Sequence, residues 1–252
     1  MGAVCHAATA VMPRDQRKSP RSRGWAGPIA TELRYDPRVP VRLFRVLLPP
    51  GALAVFVLTL MACFRVARAS GHLAGHDATG ILPVISFFGN DEPERSWFRG
   101  GFTALAVILA IMLLVRRGQL AADPSLAGAR ARRALATGAS VLAVIALLMM
   151  TWIPDGESPV HFFAALATFF FLVVCEIVET TLLLIAFRAR GFRASHAVLL
   201  LWSCACAVLS LVCVAKWVAQ ADVAAQYAAV GLQFAYFLGA IPELARQAEP
   251  AR

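Results

Sequence analysis

Glu176 and Glu179 are the only acidic residues that fall inside a long apolar run of this 252-residue chain. An ionised carboxylate at the middle of a bilayer costs about 2.5–3.5 kcal/mol or more, so such residues turn toward a bundle interior. Spaced three apart, the two are neighbours on one helix face and repel each other when both are ionised. At about 100° per residue, His161, Thr168, Cys175 and Glu179 share one stripe, while Phe162, Phe163, Phe169, Phe170 and Phe171 fill the other faces. The chemistry open to this polar seam of His161, Thr168, Glu176 and Glu179 is a proton or cation site, or a pocket for a polar headgroup. The alternative is interhelical hydrogen bonding that fixes the bundle.

A second set of candidates lies between the first two apolar runs. His72 and His76 are four apart, a spacing that suits one metal ion on a helix, and His161 is expected at the same membrane face. Gly71, Gly75 and Gly80 surround the pair and no glutamate stands where a zincin motif needs one, so solvated loop histidines are the competing reading. No nucleophile elbow, phosphate-binding loop or dinucleotide fingerprint occurs. Of six cysteines, all but Cys5 sit in apolar runs as small packing residues, and Cys204 and Cys206 point apart on a helix. The residues therefore assign no catalytic group, no metal and no cofactor.

The elements that must position these groups follow from composition. The chain is 59% hydrophobic and 15% charged, with a mean hydropathy of +0.67. Soluble domains are about 45–50% apolar and about 25% charged, and disordered chains are poorer still in apolar residues. Runs of about 17–25 apolar residues are long enough to span a bilayer as helices. Six stand out: Leu47–Phe64, opened by Pro49-Pro50-Gly51, then Gly100–Val115 with Trp97 and Phe98 at the interface, Ala134–Ile153, Val160–Phe187, Ala194–Ala215, and Val223–Ile241 closed by Pro242. The expected fold is an all-α, polytopic integral membrane protein with six transmembrane helices.

The net charge of +9 and pI near 10 would suit a nucleic-acid partner if the basic residues were clustered on a soluble surface. They are instead sorted by side. Nineteen of the 24 Lys and Arg fall in the stretch up to and including Arg45, in the second and fourth connections (Arg116, Arg117, Arg130, Arg132, Arg133; Arg188, Arg190, Arg193) or after the last run. By the positive-inside rule both termini face the cytosol, and no nucleic-acid partner is implied. Residues 1–41, rich in Arg and Pro, read as a disordered basic cytosolic tail with no signal-peptide core before Leu43. Residues 42–244 form the membrane domain, and residues 245–252 a short cytosolic tail.

The first non-cytosolic loop carries Ile85-Ser86 and, after a short stretch, Pro93-Glu94 shortly before Trp97 at the second span. This pattern resembles the family of damage-regulated autophagy modulators (DRAM), the FGF-receptor-activating protein (Frag, a post-GPI-attachment lipid-remodelling factor) and the yeast Sfk and CWH-type cell-wall proteins. His161 ahead of Phe169-Phe170-Phe171 also fits, and Gln226-Tyr227 stands where the family tends to have a Glu-aromatic pair. The missing glutamate and Phe87-Phe88 after the serine are departures. The resemblance covers roughly Leu43–Leu244.

It implies an endomembrane protein of the Golgi, ER or lysosome, with the plasma membrane as the alternative. The implied role is that of an accessory factor in GPI-anchor or membrane-lipid organisation or in autophagy. Its partners would be membrane lipids, GPI-anchored proteins or other membrane proteins, and it brings no catalytic residue to carry over. Two rivals stay open. One is a small proton-coupled transporter or channel using Glu176 and Glu179; the other is a lipid-modifying enzyme using His72, His76 or His161, for which no spacing pairs a nucleophile with a base.

Overall fold

The structure, a computed structural model, describes residues 38–79, 83–154 and 159–239, with residues 38–45 and 77–79 described as backbone only. Most of the basic tail, the C-terminal tail, Gly80, Ile241 and Pro242 lie outside the described residues. Every element is helical: α1 (Arg38–Ser70), α2 (Ala74–Thr79), a 3-10 turn (Ile85–Gly89), α3 (Glu94–Ala122), a second 3-10 turn (Pro124–Leu126), α4 (Arg130–Trp152), α5 (Pro159–Arg190), α6 (Ala194–Gln220) and α7 (Val223–Gly239). Five of these are long and apolar enough to cross a membrane: Val46–Ser70 of α1, and α3, α4, α5 and α6.

The long helices pack in chain order, α1 on α3, α3 on α4, α4 on α5, α5 on α6 and α6 on α7, and α7 returns to touch α1 and α5. The ring closes around a central space. Close approach needs small residues at the seams. Helix α4 buries Ala136, Ala139, Ser140, Ala143 and Ala146, and Ser140 and Ala136 meet Cys175 of α5. Gly101 of α3 lies so near Thr59 of α1 that a Cβ there would overlap the threonine side chain. Outward, the bundle exposes Leu58, Leu114, Leu135, Val198, Leu201 and Val208, while its buried groups include Glu94, Arg116, His161, Glu176 and Glu179. Apolar surface outside and ionisable groups inside is the distribution a lipid solvent imposes.

Several boundaries differ from those read from hydropathy. Pro49 and Pro50 lie inside α1 rather than at its start. Proline fixes a helical φ and removes only its own N–H, so a membrane helix can run through it when the freed carbonyls find partners. Helix α3 begins six residues before Gly100 and ends seven after Val115, because backbone hydrogen bonding does not stop where side chains turn polar. Arg116 and Arg117 are thus on α3, and Arg130, Arg132 and Arg133 on α4, leaving only residues 123–129 between the two helices. Phe98 is fully buried in the core, whereas Trp97 is exposed. Glycines in the left-handed region, Gly71 (φ 83°) and Gly191 (φ 87°), turn the chain after α1 and α5, where a side chain would be strained.

Candidate functional site

The central space is a cavity of about 220 Å³. Its wall is apolar: Phe102, Leu105, Leu109 and Met112 from α3, Leu147 and Met150 from α4, Ala165, Phe169 and Leu172 from α5, and Val230, Phe234 and Phe237 from α7. Among these stand a few polar side chains, Ser86, His161, Thr168, Gln226 and Gln233. An apolar pocket with few convergent polar groups is the form that small-molecule sites take. Two of the polar groups have spare capacity. His161 Nδ1 lies 2.6 Å from the carbonyl oxygen of Ile153. A carbonyl only accepts, so Nδ1 donates there, and Nε2 is buried with no partner among the described residues. Gln233 Nε2 is likewise a buried donor without an acceptor among the described residues.

The loop between α1 and α3 roofs this cavity with Val84, Ile85 and Ser86. It is clasped from two sides. On one side Ile85 N–H donates to Gln226 Oε1 at 3.1 Å, and Tyr227 Oη–H donates to the carbonyl of Pro83 at 3.1 Å. On the other, Glu94 Oε1 accepts from Ser70 Oγ at 2.7 Å and lies 3.0 Å from His72 Nδ1, tying the end of α1 to the start of α3. Phe88 packs edge-on to Phe64, and a Cβ at Gly89 would press within 3.2 Å of the Phe98 ring. Of the loop pattern, then, Ile85, Ser86 and Glu94 point inward, while Pro93 and Trp97 are exposed. Gln226-Tyr227 supplies the clasp from α7.

The α5 seam divides in two. His161 and Thr168 line the cavity, with Thr168 also donating to the carbonyl of Ala164 at 2.9 Å. Cys175 faces α4, its sulfur 3.3 Å from Ser140 Oγ. Glu176 and Glu179 lie about two and three turns beyond Thr168 toward the basic end, outside the cavity wall. Glu179 is held by Arg116 Nε at 3.3 Å, by Arg117 and by Tyr236 Oη at 3.4 Å. Tyr236 also donates to the carbonyl of Glu176 at 3.3 Å. Glu176 itself is 0% exposed, and neither carboxylate oxygen has a partner among the described residues. Phe169 shares the inner side with the seam and packs on Trp217, rather than standing on an outward aromatic face.

Two pairs of residues do not stand out from hydropathy. Arg116 and Arg117 were assigned to a loop as topology charges, yet they serve as counter-ions for Glu179. Gln226 and Gln233, seven apart in an apolar run, mark one polar helix face, which is the signal that would have found them. The histidines do not converge: His72 sits in a turn against Glu94, His76 packs on Phe87 from α2, and His161 lies at the cavity. Among the described residues no three His, Cys, Asp or Glu side chains group as metal ligands would.

No curated protein and no solved structure matches the chain. A family profile does, that of the Frag1/DRAM/Sfk1/Cwh43P N-terminal domain, over residues 44–245. This stretch contains the roofing loop, its two clasps, the cavity wall and the Glu179 cluster. The chain belongs to the Frag1/DRAM/Sfk1/Cwh43P family of multi-pass membrane proteins.

Proposed function

We propose that this protein is an accessory factor of membrane-lipid or GPI-anchor organisation that holds one lipid chain in the cavity beneath its loop. The observation that carries the reading is the cavity itself, apolar along its length and lined by only two buried polar atoms without partners, on His161 and Gln233. A cavity of about 220 Å³ with this lining suits a segment of an acyl chain. A carbonyl can take the Gln233 N–H and a hydroxyl can donate to His161 Nε2, so an acyl ester or hydroxylated chain suits the lining.

Six spans with both termini in the cytosol complete the proposed topology. Helix α7 brings 17 described residues, at the short end of the spanning range, and eight of the nineteen same-side basic residues cluster at the meeting ends of α3, α4, α5 and α6. The loop and cavity then open to the lumen of an endomembrane compartment. Its partners are membrane lipids and lipid-anchored proteins.

Purification in mild detergent followed by lipid extraction tests the reading. About one tightly held lipid per protein is expected, and Val230→Trp, which fills the cavity, should lose it. Disruption in the native cell should alter the lipid anchors or surface level of GPI-anchored proteins. Normal anchors and unchanged autophagic flux would remove the biological half of the proposal.

A transporter using Glu176 and Glu179 has one observation in its favour, the unpartnered Glu176 carboxyl. Against it, Glu179 is neutralised by two arginines, and neither acid lines the cavity.

A further inference from the structure

At the basic end of the bundle a second pocket, of about 290 Å³, opens between the last turns of α3 and the first turns of α4. Its lining is Arg117, Leu120, Arg130, Arg133 and Thr137, with Ala121 and Ala134. None of this lining belongs to the lipid-chain cavity.

Three arginines around one small space repel each other unless an anion lies among them. Among the described residues there is too little negative charge to do this. Glu179 takes one nitrogen of Arg117 and also binds Arg116, so one carboxylate faces two guanidinium groups. Asp123, between α3 and α4 in sequence, is occupied by Arg190 and by Ser125, whose N–H and Oγ donate to it at 3.0 and 2.6 Å. Donors are left over. Arg117 Nε and Nη1 and Arg133 Nε are buried and unpartnered among the described residues, and Arg133 Nη1 reaches only the Ala121 carbonyl at 3.3 Å. The start of α4 adds to this, since Ala129 at its N-cap offers no side-chain cap to the first N–H groups.

We infer that the pocket formed by Arg117, Arg130 and Arg133 binds a lipid phosphomonoester headgroup from the leaflet at the basic end of the bundle. Guanidinium forks match phosphate oxygens in bidentate pairs, and a monoester dianion balances the surplus charge better than a diester. Leu120 and Ala134 give the pocket an apolar wall on which the glycerol end of the lipid can rest. Basic pockets between transmembrane helices on the cytosolic side are a recurrent form of lipid-headgroup site. The inference is independent of what fills the central cavity.

The test uses the full-length protein in detergent, titrated with short-chain phosphatidic acid, with short-chain phosphatidylcholine and with inorganic phosphate, and read by thermal midpoint and by native mass spectrometry. Phosphatidic acid should raise the midpoint saturably, with phosphatidylcholine giving no shift and inorganic phosphate at least tenfold weaker. R130Q/R133Q spares the Arg117 bond to Glu179 and should weaken phosphatidic acid at least tenfold. R132Q/R188Q removes the same charge from exposed positions and should change affinity less than twofold. Equal response to phosphatidylcholine, equal potency of inorganic phosphate, or equal losses in the two double variants would each overturn the assignment. Val230→Trp should leave this binding unchanged, which separates its failure from failure of the lipid-chain reading.

Discussion

Gln226 Oε1 accepts a hydrogen bond from the backbone N–H of Ile85 at 3.1 Å, fixing the roof of the cavity to the helix that forms one of its walls. The two residues are 141 apart in sequence, and both are buried. Tyr227 repeats the attachment one residue on, at Pro83. The loop is therefore a fixed part of the site, and α7 is the element that sets its height.

Gln226→Leu keeps the size of the side chain and leaves the Ile85 N–H buried without its acceptor. The expected loss is about 1–3 kcal/mol, against about 0.5–1.5 kcal/mol for Tyr227→Phe, whose partner is a carbonyl. Hydrogen exchange over residues 84–90 should rise in the first variant more than in the second. Equal protection in wild type and Gln226→Leu would show that the clasp does not hold the loop.

The two intramembrane acids should separate sharply. Glu179→Gln leaves Arg116, whose side chain is 8% exposed, without its counter-ion, and breaking a buried pair in this way costs about 3–5 kcal/mol. Glu176→Gln removes a carboxyl that has no partner among the described residues, so its thermal midpoint should stay within a few degrees of wild type or rise. A transporter that works through both acids would lose flux in each variant alike, with no such contrast in stability.

At the α1–α3 seam, Gly101→Ala places a methyl against Thr59 and should cost about 1–3 kcal/mol by overpacking. Gly100→Ala meets nothing within 4 Å and should be neutral or slightly stabilising by helix propensity. Chemical-denaturation midpoints of the two neighbours are the measurement. Equal effects would mean that the helices are not in contact at this level.

The membrane fold was legible because lipid acts on every residue of a span, and runs such as Val160–Phe187 and Ala194–Ala215 show it without reference to partners. What lay hidden depends on pairs distant in sequence. Arg116 and Arg117 ended an apolar run, and nothing local distinguishes a snorkelling arginine from one that turns inward to Glu179. Glu94 was found through its family pattern, but its bonds to Ser70 and His72 depend on how α1 and α3 meet. The seam on α5 was legible as a stripe; its division into a cavity half and a charge half was not, since that is set by what α3 and α7 place opposite each residue.

Asp123, just beyond α3, gives a pH-dependent prediction. Burial pushes its carboxyl up, but bonds from Ser125 and the Arg190 guanidinium more than offset this and hold it below the ordinary carboxylate value. A lowered folded value means that its contribution is complete above the unfolded value of about 3.9 and is lost as pH falls through the folded one. The difference in thermal midpoint between wild type and Asp123→Asn should be constant from pH 7 to about 5 and shrink below about pH 4. A difference that persists unchanged at low pH would remove the ionised carboxylate from the account.

Occupancy of the central cavity by a lipid chain is tested most directly by photocross-linking. The full-length protein in nanodiscs would carry a phospholipid with a diazirine at mid-chain, with attachment sites mapped by mass spectrometry. The account predicts adducts on the inward-facing positions Leu109, Leu172 and Val230, lost in Val230→Trp and retained in an outward control such as Leu201→Trp. Adducts confined to outward residues such as Leu201 and Val208, unchanged by Val230→Trp, would contradict it.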